Sequence, residues 1–268
     1  MGLRFCSLAS GSSGNCQFIA SEEARILLDV GLAGKRIVEC MESIGEQAEK
    51  IEGILVSHEH SDHIRGIGIL SRRFNLPIYA NNNTWEEMSG KIGLVKEENK
   101  RTFTTGETFV IGDIMIKSYA IAHDAAEPVA FSFQHEGAKI SIATDLGHVD
   151  ERIMGELRDA DLLMLESNHD IEMLKMGKYP WFLKQRILGD YGHLSNETAG
   201  HVIADLLEGQ GRISNVLLGH LSKENNFPEL AYETVKSILE ARNIKIGLDI
   251  NIDLTYRDRV SRVYSIHK

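Results

Sequence analysis

Cysteine is scarce. The chain of 268 residues has three, Cys6, Cys16 and Cys40, and none beyond position 40. An odd number at these spacings rules out a disulfide-stapled framework and offers no paired metal-binding cysteines. The three are expected to be reduced, buried and structural. Proline is also sparse, at four residues, and there is no repeat, low-complexity stretch or evident linker. One continuous domain over residues 1–268 is therefore expected. No apolar run approaches the ~18 residues that would suggest a membrane span. The opening Met1-Gly2-Leu3-Arg4-Phe5 lacks the long apolar core of a signal peptide and reads as the start of a strand, so a cytoplasmic protein with no membrane partner is expected. Positive charge is in deficit, 29 Lys and Arg against 39 Asp and Glu, for a net charge of -10. That balance argues against an extended surface that coats nucleic acid, because phosphate binding rests on Lys and Arg. A local basic track beside a metal site remains compatible with it.

Histidine, by contrast, is concentrated. Ser57-His58-Glu59-His60-Ser61-Asp62-His63 follows the apolar run Gly53-Ile54-Leu55-Val56, which reads as a buried strand. Residues two apart at a strand end point to the same side. His58 and His60 can therefore grip one metal ion, and Asp62 and His63, after the turn, can face a second. Imidazole nitrogen and carboxylate oxygen suit zinc, manganese or iron in a hydrolytic site. The plainer reading, a polar loop that happens to be rich in histidine, fits four ligand-type residues in an H-x-H-x-D-H frame poorly.

Hydrophobic periodicity predicts strands over 3–8, 17–20 and 25–29, a helix over 35–44, the strand before the histidine motif, a helix over about 64–74 and a short strand over 77–80. The second half opens with strands over 107–111, 114–121, 129–134 and 139–143, followed by a helix over 151–158 and a strand over 162–166. Helices near 171–187 and 196–207, a strand over 216–218, a helix over 228–242 and strands over 246–254 and 260–266 complete the chain. Each half runs strands first and helix–strand units after. The fold class expected is α/β, a four-layer αββα sandwich with loops from both halves at one edge.

Three more ligand-type residues stand directly after apolar strands: His123, Asp145 and His220. The order H-x-H-x-D-H, then His123, then Asp145 within Thr144-Asp145, then His220 within Gly219-His220, resembles the metallo-β-lactamase superfamily of metallohydrolases across nearly the whole chain. The resemblance implies that His58, His60 and His123 hold one ion. It implies that Asp62, His63 and His220 hold the second, and that Asp145 bridges the two. In the lactamase branch a cysteine stands where Asp145 stands here, so lactam hydrolysis is not expected. Between His123 and Asp145 lie 21 residues, too few for the protruding arm of the tRNA-maturing branch. Between Asp145 and His220 lie 74, too few for the large inserted domain of the RNase J and Artemis-like branch. The segments Leu8–Cys16, Thr144–His148, Glu166–Asp170 and Gly219–Ser222 are similar to the YycJ (WalJ) group of bacteria, which is compact and linked to 5′-to-3′ exonuclease action on double-stranded DNA.

The resemblance implies two divalent ions per chain, zinc or manganese, with iron a further option. Ions ~3.5–4 Å apart can share a water, lower its pKa and clamp both oxygens of an in-line displacement at phosphorus. Asp62 is then also a catalytic residue that orients the attacking oxygen. His193, in Tyr191-Gly192-His193-Leu194-Ser195 ahead of a helix, is the best proton donor for the leaving oxygen, resembling a His-Ser or His-Thr element of RNase Z-like enzymes with Leu194 interposed. The alternative is a histidine that caps or solvates a helix start. His148 and His169 are candidates for supporting the ligands or touching phosphate, with a local structural role equally open. Ser10-Gly11-Ser12-Ser13-Gly14-Asn15 is either a close backbone approach to a phosphate or metal edge, or a plain tight turn. Between Lys175 and Arg186, Lys178, Trp181, Lys184 and Arg186 are candidate substrate contacts, cations for phosphates and rings for bases. The alternative there is an amphipathic helix with aromatics packed inward and lysines solvated. Arg72 and Arg73 form a second candidate phosphate contact. The function expected is a phosphodiesterase on nucleic acid, DNA rather than RNA. A small-molecule (cyclic) phosphodiesterase, a thioester hydrolase and a non-catalytic metal-binding regulator are the alternatives.

Overall fold

The computed structural model describes residues 2–209 and 211–268. The chain separates into two compact units. One comprises the segment up to Ala120 with Ala125–Ala138 and Tyr256–Lys268; the other comprises Ile121–Asp124 and Lys139–Thr255. Elements are numbered in chain order.

The first unit begins with β1 (Leu3–Ala9), β2 (Cys16–Ala20) and β3 (Arg25–Leu28), paired antiparallel. After α1 (Gly34–Ser43) come β4 (Gly53–Leu55), α2 (Ser61–Ile64), α3 (Ile67–Phe74), β5 (Ile78–Ala80), α4 (Asn82–Ile92) and β6 (Lys100–Thr102). Strands β3 to β6 pair in parallel, and β14 (Tyr264–Ile266) closes the other side of β1. The antiparallel strands β7 (Thr108–Ile111), β8 (Ile114–Ala120) and β9 (Val129–His135) also belong to this unit. Leu8, Phe18, Ile37, Met41, Ile54 and Leu70 are buried in one core cluster, each such side chain stabilising the fold by about 1.5–3 kcal/mol.

Two expectations change here. The helix foreseen over 64–74 is two helices. The chain bends at Gly66, whose N–H donates to the Val30 carbonyl at 2.8 Å. A Cβ at Gly66 would lie 2.3 Å from the Leu32 carbonyl oxygen, so only glycine permits this approach. Helix α4 was not foreseen. The Asn81 side chain caps it by accepting from the Thr84 N–H.

The second unit holds β10 (Ala138–Ala143, from Lys139 on), α5 (Glu151–Leu157), β11 (Leu162–Glu166), α6 (Ile171–Met176), α7 (Trp181–Leu188), α8 (Asn196–Glu208), β12 (Asn215–Gly219), α9 (Pro228–Ala241) and β13 (Asn251–Leu254). Strands β10 to β13 are all parallel, joined by helical crossovers. Their near-continuous apolar runs, such as Leu162 to Leu165, follow from burial on both faces. The helix foreseen over 171–187 is broken between α6 and α7. Pro180 lacks a backbone N–H and cannot continue α6. The strand foreseen over 246–254 starts only at Asn251, and the one over 260–266 only at Tyr264.

Candidate metal centre and active site

The parallel strands set the chemistry, because ligands gather at the carboxyl ends of such strands. In the first unit, β3 delivers Asp29 and β4 delivers Ser57 and the histidine motif. Asp29 is buried at a left-handed φ of 59°, a backbone state L-residues rarely adopt. Its carboxylate accepts from the Ser57 N–H at 2.9 Å, the Ser57 hydroxyl at 2.8 Å and His63 Nδ1 at 2.8 Å. The Ser57 hydroxyl proton is thereby committed, so Ser57 Oγ accepts from His58 Nδ1 at 2.9 Å. Both imidazoles are held as Nδ1–H tautomers, which turns the Nε2 lone pair of each into a donor for a cation. The rings of His58 and His60 lie 4.7 Å apart, and those of His58 and His63 4.1 Å apart. Asp62 Oδ2 sits 3.6 Å from His63 Nε2. Asn15, at the end of the small-residue loop, brings its amide nitrogen to 3.0 Å from His63 Nε2, and its backbone N–H donates to the Asp62 carbonyl at 2.8 Å. A Cβ at Gly31 would lie 1.6 Å from that carbonyl oxygen, so the loop and the ligand turn meet closely. Glu59, between His58 and His60, is buried and accepts from the Ala126 N–H at 2.9 Å.

In the second unit, β10 leads to Asp145, β11 ends at Glu166 and β12 leads to His220. Asp145 and His220 again take left-handed φ values, 60° and 53°. Glu166 is fully buried and plays the part that Asp29 plays in the first unit. Its Oε1 accepts from His193 Nδ1 at 2.8 Å and His220 Nδ1 at 2.7 Å. Its Oε2 accepts from the N–H groups of Leu146 at 3.0 Å and Leu194 at 3.2 Å. Burial alone would raise the Glu166 pKa, but the charges and hydrogen bonds of His193 and His220 hold it well below the usual carboxylate range. Burial opposes protonation of His193, yet the Glu166 carboxylate beside it raises its pKa above the ordinary value. Asp145 Oδ1 lies 3.3 Å from His220 Nδ1, 3.9 Å from His193 Nδ1 and 4.0 Å from His123 Nε2. His123 Nδ1 donates to the Gly192 carbonyl at 3.2 Å, so its Nε2 is also the lone-pair nitrogen, and burial depresses its pKa. One ligand atom each from Asp145, Glu166, His193 and His220 lies within 4.8 Å of the others. The donor chemistry therefore fits divalent ions in both units, with Glu166 committed to hydrogen bonds as a brace.

Three loops carry these groups, and three buried asparagines tie them together. Asn226 and Asn196 exchange reciprocal amide bonds of 3.1 and 2.8 Å. The Asn226 amide also donates to the carbonyls of Ser167 and Asn168, and the Asn168 amide donates to the His220 carbonyl at 2.9 Å. Asn168 N–H donates to the Leu194 carbonyl and Asn196 N–H to the His169 carbonyl, both at 2.9 Å.

The structure thus brings His58, His60, Asp62 and His63 together in one unit, and His123, Asp145, His193 and His220 together in the other. It places the remaining sequence candidates differently. His148 is exposed, with Nδ1 3.1 Å from the Asp190 carbonyl. His169 is buried and burial pushes its pKa down to about 4, while the neighbouring Asp170 caps α6 by accepting from the Met173 N–H. Lys184 is buried, and its ammonium donates to the carbonyls of Lys175 at 2.6 Å and Gly177 at 2.7 Å. It caps the end of α6 and is not presented to a substrate. Arg186 is exposed and paired with Asp124, and Lys178 and Trp181 are exposed. Arg72 braces the end of α4 through the carbonyls of Ile92 and Leu94. Asp29 and Glu166, the two carboxylate braces, escaped the sequence reading; each is an acid at the end of an apolar run.

A sequence profile of the Beta-lactamase superfamily domain matches residues 24–220. The chain belongs to the metallo-β-lactamase superfamily. It is 43% identical to the exodeoxyribonuclease YycJ of Bacillus anthracis over 92% of this chain and 93% of that one. It is 39% identical to the exodeoxyribonuclease WalJ of Streptococcus pneumoniae over 99% of both. Among solved structures, the metallo-β-lactamase fold protein YhfI of Bacillus subtilis superposes with a TM-score of 0.73 at 16% identity, covering 97% of this chain and 99% of that one. Zinc-bound PqqB of Methylobacterium extorquens gives 0.70 at 15%, with the same coverage. At such identities these likenesses show the fold, and the two seven-stranded mixed sheets with their helices are that fold. As a metallo-β-lactamase superfamily member with these histidine and carboxylate clusters, the chain is a metal-dependent hydrolase. Among the described residues no helix is long and apolar enough to cross a membrane.

Proposed function

We propose that this chain is a two-metal exonuclease that degrades double-stranded DNA from the 5′ end. Similarity along essentially the whole chain to two proteins named exodeoxyribonuclease carries the substrate. In this reading His58, His60, Asp62, His63, His123, Asp145 and His220 would hold the two ions, as the family's ligand order implies. A single profile running through 24–220 supports taking the chain as one domain. Zinc or manganese suits the imidazole and carboxylate donors.

Bound divalent ions would supply a water of lowered pKa and positive charge against a phosphodiester. The chain's own residues do the rest. Asp29 and Glu166 fix the imidazole tautomers. Asp62 accepts a hydrogen bond from the attacking oxygen and orients it. His193 gives a proton from Nε2 to the leaving oxygen, because its Nδ1–H is held by Glu166, whose charge raises the imidazole's pKa. Single- and double-stranded DNA and RNA, end-labelled and incubated with each metal in turn, test the reading. Mononucleotides released from the 5′ end of duplex DNA are expected. His193→Ala should retain bound metal and slow release by about 10²–10³, whereas Asp145→Ala should lose both metal and activity. No degradation of any strand with any metal defeats the proposal.

A further inference from the structure

In helix α7 the buried residue is Lys184, while Trp181 and Phe182 are 67% and 73% exposed. The amphipathic alternative, rings inward and lysines outward, holds for the exposed Lys175 and Lys178 but not for these three side chains. The ammonium of Lys184 is satisfied by the carbonyls that end α6, which fixes which face of α7 looks outward. Met176 before the helix and Tyr191 after it are also exposed, at 85% and 66%. Four large, mostly exposed side chains within sixteen residues of chain suggest a contact surface.

The position and charge of this surface say what it contacts. Tyr191 stands two residues before His193, and the turn between is closed by Gly192 N–H donating to the Gly189 carbonyl at 2.8 Å and His193 N–H donating to the Ile187 carbonyl at 3.0 Å. The end of α7 is therefore fastened to the residue that serves the scissile phosphate. From Met173 to Gly189 the chain has four cations and no acid, within a protein of net charge -10. Of these, Lys184 is committed to carbonyls, Arg186 to Asp124 and Lys175 to Glu172; Lys178, three residues before Trp181, is exposed. Every base has a π-face, so exposed rings beside a cation accept a single strand of any sequence.

We propose that Trp181, Phe182 and Tyr191, with Lys178 for the backbone, form a ledge on which unpaired bases next to the scissile phosphate stack. The ledge gives the enzyme a reason to fray the duplex end. This proposal rests on the nuclease reading, and its test separates the two. The other tryptophan, Trp85, is nearly buried and donates its Nε1–H to the Arg101 carbonyl at 2.9 Å. In a Trp85→Phe background, emission therefore reports on Trp181 alone. The metal-loaded protein is titrated with a short phosphorothioate oligothymidine, which resists cleavage, and with an abasic strand of equal length and charge. Quenching by the thymidine strand but not the abasic one is expected. Binding of a labelled thymidine strand should weaken about tenfold for each stacked base lost in Trp181→Ala and Phe182→Ala, with the melting temperature unchanged because both rings are exposed. Equal binding of the two strands overturns the ledge. So does a Trp181 emission change on dilution without DNA that tracks a dimer-to-monomer transition in sedimentation, which would make this face a contact with a second copy. If wild-type protein digests DNA while either of these results holds, the ledge fails and the nuclease stands. If it digests nothing, the nuclease reading fails whatever Trp181 reports.

Discussion

Replacing Glu166 by glutamine keeps shape and volume but changes one oxygen into an NH2 group. Each carboxylate oxygen of Glu166 accepts two N–H donors: imidazoles on Oε1 and backbone amides on Oε2. Whichever way the amide is turned, its NH2 faces two donors. Two hydrogen bonds are lost in a fully buried site, at about 1–3 kcal/mol each. Removing a buried charge relieves part of the desolvation cost, which leaves a net loss of about 2–4 kcal/mol. Urea unfolding of metal-free wild type and Glu166→Gln, followed by circular dichroism, measures it. The pH dependence carries a signature. Glu166 has a lowered pKa, so its contribution is present above its ordinary value of 4.5 and fades as pH falls towards the folded value. His193 has a raised pKa, so its contribution is complete below its ordinary value of 6.5 and is lost as pH rises through the folded value. The gap between the two proteins should be widest between roughly pH 5 and 6.5 and narrow on both sides. DNA degradation should slow by about 10²–10³, since His193 loses the charge that raises its pKa. Equal urea midpoints near pH 6, or a gap that does not change with pH, would refute the account of Glu166 as the charge partner of His193.

Asp29→Asn should lower metal affinity by about 10- to 100-fold while the fold persists, because the tautomers of His58 and His63 lose their anchor; competition against a chelating dye measures this, and unchanged affinity would remove Asp29 from the ligand-orienting role. Lys184→Met should lower stability by about 1–3 kcal/mol, since two carbonyls lose their donor, yet leave the salt dependence of DNA binding alone. A slope reduced by about one unit would restore Lys184 as a phosphate contact.

Much of the candidate site was legible because four of its residues follow apolar strands, a pattern that needs no tertiary knowledge. His58, His123, Asp145 and His220 all announce themselves this way. Asp29 and Glu166 stand at similar places, but their partners lie far off in sequence: His63 is 34 residues from Asp29, and His220 is 54 from Glu166. No local pattern records such a pairing. Helix α4 was readable and overlooked, since Trp85, Met88 and Ile92 stand at helical spacing behind the Asn81 cap. The burial of Lys184 was not readable. A lysine among aromatics is buried only if carbonyls wait for it, and those belong to the end of the preceding helix.

The excursion from Asp170 to Leu194 leaves the sheet after β11 and returns to its own starting point. His169 and Ser195 form a parallel bridge, flanked by the bonds between Asn168 and Leu194 and between Asn196 and His169. Its two ends are thus stapled side by side, whatever lies between them. The segment in the middle can be lengthened, shortened or exchanged while the groups at its neck keep their places. Transplanting the corresponding segment of another family member between Asp170 and Gly189, with Gly192 and His193 kept because they hold His123 and Glu166, is therefore a route to a new substrate on an unaltered set of candidate metal-binding groups.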